Sequence, residues 1–481
     1  MNYSQFLNMI PEFYLVLILI VVFVVDFIMH KSAKKHDVLF AVTVALTAVL
    51  PVRIALMGEP TEAFGGIYVT SQIANVMKVI LTAGTVIVLI MSQAWLKTNN
   101  RYEGEYYMLI LSTLLGMYMM LSSGSFLMFF LGLEMASVPM ACLVAFDKKK
   151  KESAESAAKY VLMATFSSGV MLFGISFIYA ATGGLYFDDV AQVISASPLA
   201  IIGMVFFFSG LGFKISLVPF HFWTADTYQG APTPVTGYLS VVSKGAATLT
   251  LAIILVKVFG SMVAYWQPML WVVIMLTITI GNLMAIRQTE LKRFMAFSSI
   301  SQAGYIMLAV IGADPAASQT ALTFYVLVYV VANMSVFSVI SAVEHRAGAG
   351  TQMSAYNGLY QTNPKLTFIM TIALFSLAGI PPFAGMFSKF FVFMAGVSGH
   401  ETGAPFWPYF VVFVALVNTV VSLYYYLLIV KAMYIKQEAN PLPTFRHGGA
   451  INTSLAICTV GIILFGVCSC IYQWIADAAG M

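Results

Sequence analysis

The stretch LAIIGMVFFFSGLGFKISLVPF at residues 199–220 decides the fold: it is apolar and long enough to cross a bilayer, yet it holds Lys214 and ends near Pro219. About 20 mostly apolar residues cover the roughly 30 Å of bilayer hydrocarbon. An amine at that depth costs about 3 kcal/mol on insertion scales, so a lysine inside a span is a functional hypothesis by default. A proline there frees backbone groups that only protein or a wet cavity can satisfy.

The rest of the chain agrees with a membrane setting. Of its 481 residues 60% are apolar and only 9% charged, with a mean hydropathy of +0.89, where a soluble protein carries about a quarter charged residues. That composition excludes solenoid, coiled-coil and disordered chains. The net charge of +4 is dispersed, and no basic stripe alternates with aromatics, so no nucleic-acid partner is expected. Cys142, Cys458, Cys468 and Cys470 lie in apolar runs without metal-ligand spacing; neither a disulfide framework nor a metal site is expected. There is no P-loop and no Gly-rich nucleotide fingerprint, so the energy must come from an ion gradient or a partner.

Segmenting the chain at charges, Gly and Pro gives fourteen runs: 11–29, 38–57, 72–96, 106–121, 125–146, 156–181, 199–219, 235–258, 267–286, 294–312, 319–343, 366–398, 408–433 and 451–475. The expected fold is an all-α polytopic membrane protein of about 14 transmembrane helices. The first run is long enough to span and lacks a small-residue cleavage site, so it is read as retained and not as a signal peptide. The longest loop, about 344–365, cannot fold as a soluble domain, which places the function inside the bilayer.

Lys and Arg mark the cytoplasmic side. Loops after odd-numbered runs hold Lys31, Lys34, Lys35, Lys97, Arg101, Lys148 to Lys151, Lys159, Arg287, Lys292, Arg293, Arg346, Lys365, Lys431, Lys436 and Arg446, or 18 of the 24 basic residues. The other loops hold only Lys257, with Glu59, Glu62, Asp188, Asp189, Asp314 and Glu401. Both termini are therefore expected on the non-cytoplasmic side.

Four charges stand deep in spans: Glu134 in the fifth, Lys214 in the seventh, Lys244 in the eighth and Lys389 in the twelfth. Burial disfavours the charged form of such groups unless they pair, so pairing and unpairing is a proton switch. The alternative is a set of fixed ion pairs that specify packing. Lys257 and Lys78 can snorkel to the headgroups, and Arg53 and Asp26 sit where interface anchoring suffices. Lys159 opens the sixth span.

Pro219 interrupts the seventh span, and Pro381 and Pro382 interrupt the twelfth. Discontinuous helices seven and twelve, five spans apart, suggest inverted repeats of five helices, a plan that transporters use to place ion sites. The segments expected are 1–104, an N-terminal three-helix unit; 105–260, the first repeat; 261–435, the second, inverted; and 436–481, a C-terminal helix. Ser240, Ser243, Ser298, Ser299, Ser301, Gln302, Tyr305, Asn333, Asn418, Ser422 and Tyr424 supply polar steps between the charges, although singly each can satisfy its own backbone.

FKISLVPFHFWTADTYQGAPTPVTGYLSVVSK (213–244) resembles the subunit N family of proton-pumping NADH-quinone oxidoreductase, respiratory complex I. So do LGLEMASVPMACLVAF (131–146), ESAAKYVLMATFSSGVMLFGISFIYAATG (155–183), LKRFMAFSSISQAGYIML (291–308) and LAGIPPFAGMFSKFFVF (377–393), in the family's order. The resemblance covers most of residues 105–435. Within the wider antiporter-like group, the YQGAP wording, Lys244 and Lys389 favour subunit N over subunits L and M.

The resemblance implies roles. Glu134 and Lys214 would pair, Lys244 would be the central relay, Lys389 would exchange protons with the far side, and Lys159 would modulate the pair. Gln302 stands where the family often has His, and an amide cannot bind and release a proton near neutral pH. The resemblance further implies quinone, flavin and iron-sulfur clusters in partner subunits and none in this one. It implies K-, M-, L-, J-, A- and H-type membrane partners and a bacterial cytoplasmic membrane. Rival readings are a subunit of a multisubunit cation/proton antiporter or membrane-bound hydrogenase, and a structural spacer; an independent solute transporter lacks a dedicated site.

Overall fold

The computed structural model describes residues 3–56, 60–99, 102–347, 350–398, 406–436, 442–446, 448–468 and 470–480. Glu59, Arg101 and Glu401, used above for orientation, lie outside the described residues. Each of the fourteen apolar runs forms helix. Twelve helices among the described residues are long and apolar enough to cross a membrane.

An N-terminal group comprises α1 (Ile10–Ile28), α2 (Lys35–Ala55) and α3 (Gln72–Asn99), with a two-stranded hairpin, β1 (Glu62–Ala63) and β2 (Tyr68–Val69), between the last two. Next come α4 (Glu103–Leu121), α5 (Phe126–Val144), α6 (Lys151–Thr182), a short α7 (Phe187–Val193) and α8 (Pro198–Ile215). Ser125 and Ser197 cap α5 and α8 by accepting from Met128 N and Ala200 N, satisfying first-turn donors. The helices α4 and α5 cross where a Cβ on Gly116 would meet Ala136 N at 2.4 Å; only a residue without a side chain allows that approach.

The seventh run breaks as its proline requires: α8 ends at Ile215, Ser216 turns left-handed with φ 70°, the Val218–Pro219 peptide is cis, and α9 (Phe222–Gly230) follows. The eighth run is not one regular helix. It is α10 (Thr233–Tyr238), a π-helical turn (Leu239–Ser243) and α11 (Lys244–Lys257).

The second half holds α12 (Val263–Ile286), α13 (Leu291–Leu308), α14 (Pro315–Ala347), the short α15 (Leu359–Thr362), α16 (Pro364–Ala378), α17 (Ala384–Val397) and α18 (Phe406–Tyr434). The break between α16 and α17 repeats the earlier one: Gly379 is left-handed at φ 88° and the Pro381–Pro382 peptide is cis. The last run, read as one helix, is split into α19 (Gly449–Val467) and α20 (Cys470–Ala479), with Cys468 extended after the end of α19, and no proline or charge in the stretch marks the place.

Burial sorts the helices. The most apolar windows of α13 and α14 are 100% and 94% buried, against 22% for α6. The polar side chains of α13 and α14, such as Ser299, Gln302 and Asn333, are therefore enclosed, and the apolar side chains of α6, such as Leu162 and Phe166, point outward. This inside-polar arrangement is what a bilayer solvent favours.

Candidate functional site

Lys214 occupies the last turn of α8, and its amine donates to Ser137 Oγ at 2.9 Å, Tyr160 OH at 3.4 Å and Ala136 O at 3.4 Å. Glu134 lies one turn before Ser137 on α5, half-buried, with Oε1 lacking a protein partner. No hydrogen bond or ion pair joins Glu134 to Lys214 among the described residues, but the carboxylate lies within electrostatic reach of the amine. The amine donates instead to the neutral hydroxyls of Ser137 and Tyr160. Residues 134 and 137 share a helix face, so the same amine has two alternative acceptors one turn apart.

Lys244 begins α11 directly after the π-turn. Such bulges are frequent at functional sites because they re-aim side chains. The residue is 1% exposed, and its amine donates to Ser299 Oγ at 2.7 Å and lies 5.5 Å from the centre of the Tyr228 ring. Asn333 Nδ2 donates to Ser240 Oγ, which fixes the same turn from α14.

Lys389, on α17, donates to Ala378 O at 3.0 Å and lies 4.9 Å from the centre of the Tyr305 ring. Ala378 ends α16, so the helix break supplies a carbonyl that an unbroken helix would have used. The neighbouring carbonyl, Leu377 O, accepts from Gln302 Nε2 at 3.3 Å. Gln302 also donates to Tyr426 OH at 3.3 Å and accepts from Tyr325 OH. A cavity of about 10 Å³ lies among Gln302, Tyr329, Ser376 and Lys389, on the order of the space needed by one water centre.

The buried amines of Lys214, Lys244 and Lys389 thus rest on hydroxyls, rings and carbonyls, with no carboxylate partner among the described residues. Between Lys214 and Lys244 the connection is aromatic: Tyr160 packs on Trp223 and Trp223 on Tyr228. Buried His221, with Nδ1 lacking a protein partner, lies within electrostatic reach of Lys244. Sequence reasoning missed His221, Tyr160 and Ser137; a His two residues after the break proline and a Tyr beside Lys159 were the available signals.

Lys159 is placed differently. It is half-exposed and pairs with Glu155 at 2.8 Å and Asp226 at 2.9 Å, while Arg293 meets Asp226 at 2.6 Å. It makes no contact with Glu134 or Lys214, although the next residue, Tyr160, touches Lys214. Burial opposes ionisation of Asp226, but Lys159 and Arg293 outweigh it and hold the carboxyl below its usual range. A depressed carboxylate keeps its pairing above the ordinary value and loses it only as pH falls through the lower one, so this lock stays closed near neutrality.

Two expectations need correction. Tyr424 is 56% exposed and faces outward, whereas Tyr425 and Tyr426 face the polar axis; a run apolar on all sides hides its inner face. Lys78 does not snorkel: it is 0% exposed and pairs with Glu12 at 2.7 Å. Lys257, in contrast, is exposed and pairs with Asp188 at 2.8 Å.

A cleft of about 230 Å³ among Asp147, Lys150, Thr233 and Glu344 opens at the start of α10, the helix whose other end leads to Lys244. Lys150 pairs with Glu344 at 3.0 Å. Partial burial alone would favour its neutral form, but Glu344 and Asp147 hold the amine above its usual value. Lys292, read as a loop residue, is buried and donates to Ala231 O at 3.0 Å. No metal-binding cluster occurs among the described residues.

The family described as "NADH:quinone oxidoreductase/Mrp antiporter, TM" matches residues 123–431. The chain is 52% identical, over 100% of both chains, to NADH-quinone oxidoreductase subunit N of Phocaeicola vulgatus. It is 28% identical to a chain of respiratory complex I from Thermus thermophilus, solved with bound aureothin, covering 95% of this chain and 97% of that one at a TM-score of 0.77. A chain of the Mrp complex from a Dietzia species, 20% identical with 98% and 97% covered, shares the fold at a TM-score of 0.83. The chain therefore belongs to the NADH:quinone oxidoreductase/Mrp antiporter transmembrane family and, within it, to the subunit N group of membrane-arm subunits of respiratory complex I.

Proposed function

We propose that this chain moves protons through Glu134, Lys214, Lys244 and Lys389, driven by quinone reduction in partner subunits. The observation that carries the reading is the set of three buried lysines, 3%, 1% and 4% exposed for Lys214, Lys244 and Lys389, whose amines donate to neutral acceptors while Glu134 stands within electrostatic reach of Lys214. Burial without a counter-ion makes a protonation state responsive to nearby charge. Two unit charges 4 Å apart interact by about 4 kcal/mol at an effective dielectric of 20, enough to change which form of an amine dominates.

In the proposed cycle Lys214 exchanges Ser137 for Glu134. Its altered charge moves a proton from Lys244 by way of Ser299 and the Gln302 network to Lys389. Gln302 itself cannot titrate; it holds Tyr325 and Tyr426, whose hydroxyls, with water, would carry the proton past it. The cleft at Lys150 and Glu344 is the cytoplasmic intake, and Lys159 sets the field at the pair through Asp226. The subunit has no redox centre of its own and no activity alone; quinone, flavin and iron-sulfur chemistry belongs to partners, and its neighbours are K-, M-, L-, J-, A- and H-type subunits. It sits in a bacterial cytoplasmic membrane with both termini outside.

Glu134→Gln in the assembled complex, reconstituted in liposomes, is expected to slow NADH-driven proton uptake about tenfold, the effect of roughly 1.4 kcal/mol. Proton uptake at the native rate would remove Glu134 from the relay.

A further inference from the structure

A buried ion pair lies away from the lysine axis. Glu12 of α1 and Lys78 of α3 meet at 2.7 Å with side-chain exposures of 5% and 0%. Tyr68 of β2 donates to Glu12 Oε2 at 2.9 Å and Ser122 to Oε1 at 3.5 Å. The rings of Tyr68 and Tyr118 flank the amine at 5.6 and 5.4 Å. As stability devices buried pairs are weak, since apolar replacements of similar volume are often as good.

What distinguishes this pair is where its surroundings lead. Thr82 Oγ1 donates to Lys78 O at 2.6 Å and bonds Tyr118 OH. One turn further along α3, Thr85 adjoins Tyr238, whose hydroxyl accepts from Thr113 at 2.9 Å. Tyr238 ends α10 and is followed directly by the π-turn, after which Lys244 begins α11. At the other end, Tyr68 lies on the hairpin, where Thr61 and Thr70 bond each other in a part-buried position. All of Tyr68, Lys78, Thr82, Thr85, Thr113, Tyr118 and Tyr238 are buried. A hydroxyl file that begins beside the central lysine's turn and ends at a carboxylate under a surface hairpin has the composition of a proton exit.

We propose that Glu12 and Lys78 form a proton-holding site at the outer end of a second polar file, which receives protons from the Lys244 region by way of Tyr238 and releases them beneath the β1–β2 hairpin. The proposal rests on the lysine relay as the proton source. The proton passes as a transfer between oxygen and nitrogen atoms, with no electron moved and no bond other than O–H or N–H made or broken. Groups facing Glu12 are Lys78, Tyr68 and Ser122, with Tyr118 beyond the amine; Glu62 of the hairpin is exposed.

The test compares variants in the assembled complex in liposomes, with protons counted per electron. The double variant Glu12→Gln/Lys78→Gln keeps a hydrogen bond and leaves no unpaired charge. It is expected to assemble and to lose protons per electron; native pumping would show that the pair only fastens α1 to α3 and would overturn the proposal. Should that variant not assemble, Tyr68→Phe, which keeps the pair and the packing, is expected to shift the pH profile of pumping; an unshifted profile overturns it. Lys244→Met in parallel separates the two ideas. If it pumps normally the relay fails, and if it is dead while the double variant is native, only the exit fails.

Discussion

Lys244→Met is expected to abolish proton translocation through this subunit while leaving the fold intact. Methionine matches the length of the aliphatic stem, and the amine it removes makes a single hydrogen bond, to Ser299. The lost bond leaves a hydroxyl that also lies near Tyr228 OH and Ser240 O at 3.4 Å, so the structural cost is limited to about 1 kcal/mol. Removing the buried amine that joins Ser299 and faces the Tyr228 ring breaks the relay. The measurement is pumping per NADH oxidised in liposomes, with assembly checked by gel mobility. A spacer subunit would keep native pumping.

Gly385→Ala is expected to have the largest effect on stability. A Cβ there would stand 1.6 Å from Ser376 O and 2.5 Å from Ser376 C. These are backbone atoms that cannot rotate away, so α17 must shift from α16, costing about 3 kcal/mol, at the upper end for overpacked cores. The shift would also draw Lys389, one turn on, away from Ala378 O. Loss of assembled complex, or a lowered melting temperature in detergent, is the expected readout. Gly169→Ala, with nothing within 4 Å of the added carbon, is the control and should be neutral or slightly stabilising, since helical Gly costs about 1 kcal/mol relative to Ala.

The helices were legible because a bilayer demands long apolar runs, and the two breaks because Pro219 and the Pro381–Pro382 pair each stand near an intramembrane lysine; a proline alone does not mark a break, since Pro51, Pro139 and Pro268 lie inside continuous helices. The charges of Lys214, Lys244, Lys389 and Glu134 were legible for the same reason, each standing out against apolar neighbours. Their partners were not. Glu12 and Lys78 are 66 residues apart, and nothing in either run shows that α1 packs its acid toward α3. Ser137 replaced Glu134 as the partner of Lys214 because one helix face offers both, and sequence cannot say which rotamer is occupied. The inward facing of Tyr426 in place of Tyr424, the buried Lys292 and the π-turn before Lys244 escaped reading because a membrane helix apolar on all sides carries no periodic mark of its inner face.

Proton transfer through this subunit requires that protons pass between the lysine amines inside the assembled complex. Electron cryomicroscopy of that complex, at a resolution that shows ordered water, in oxidised and NADH-reduced samples, tests this most directly. Water is expected beside His221 between Lys214 and Lys244, and in the Gln302 cavity beside Lys389, in at least one of the two samples. Side chains packed without water at both places in both samples would contradict it.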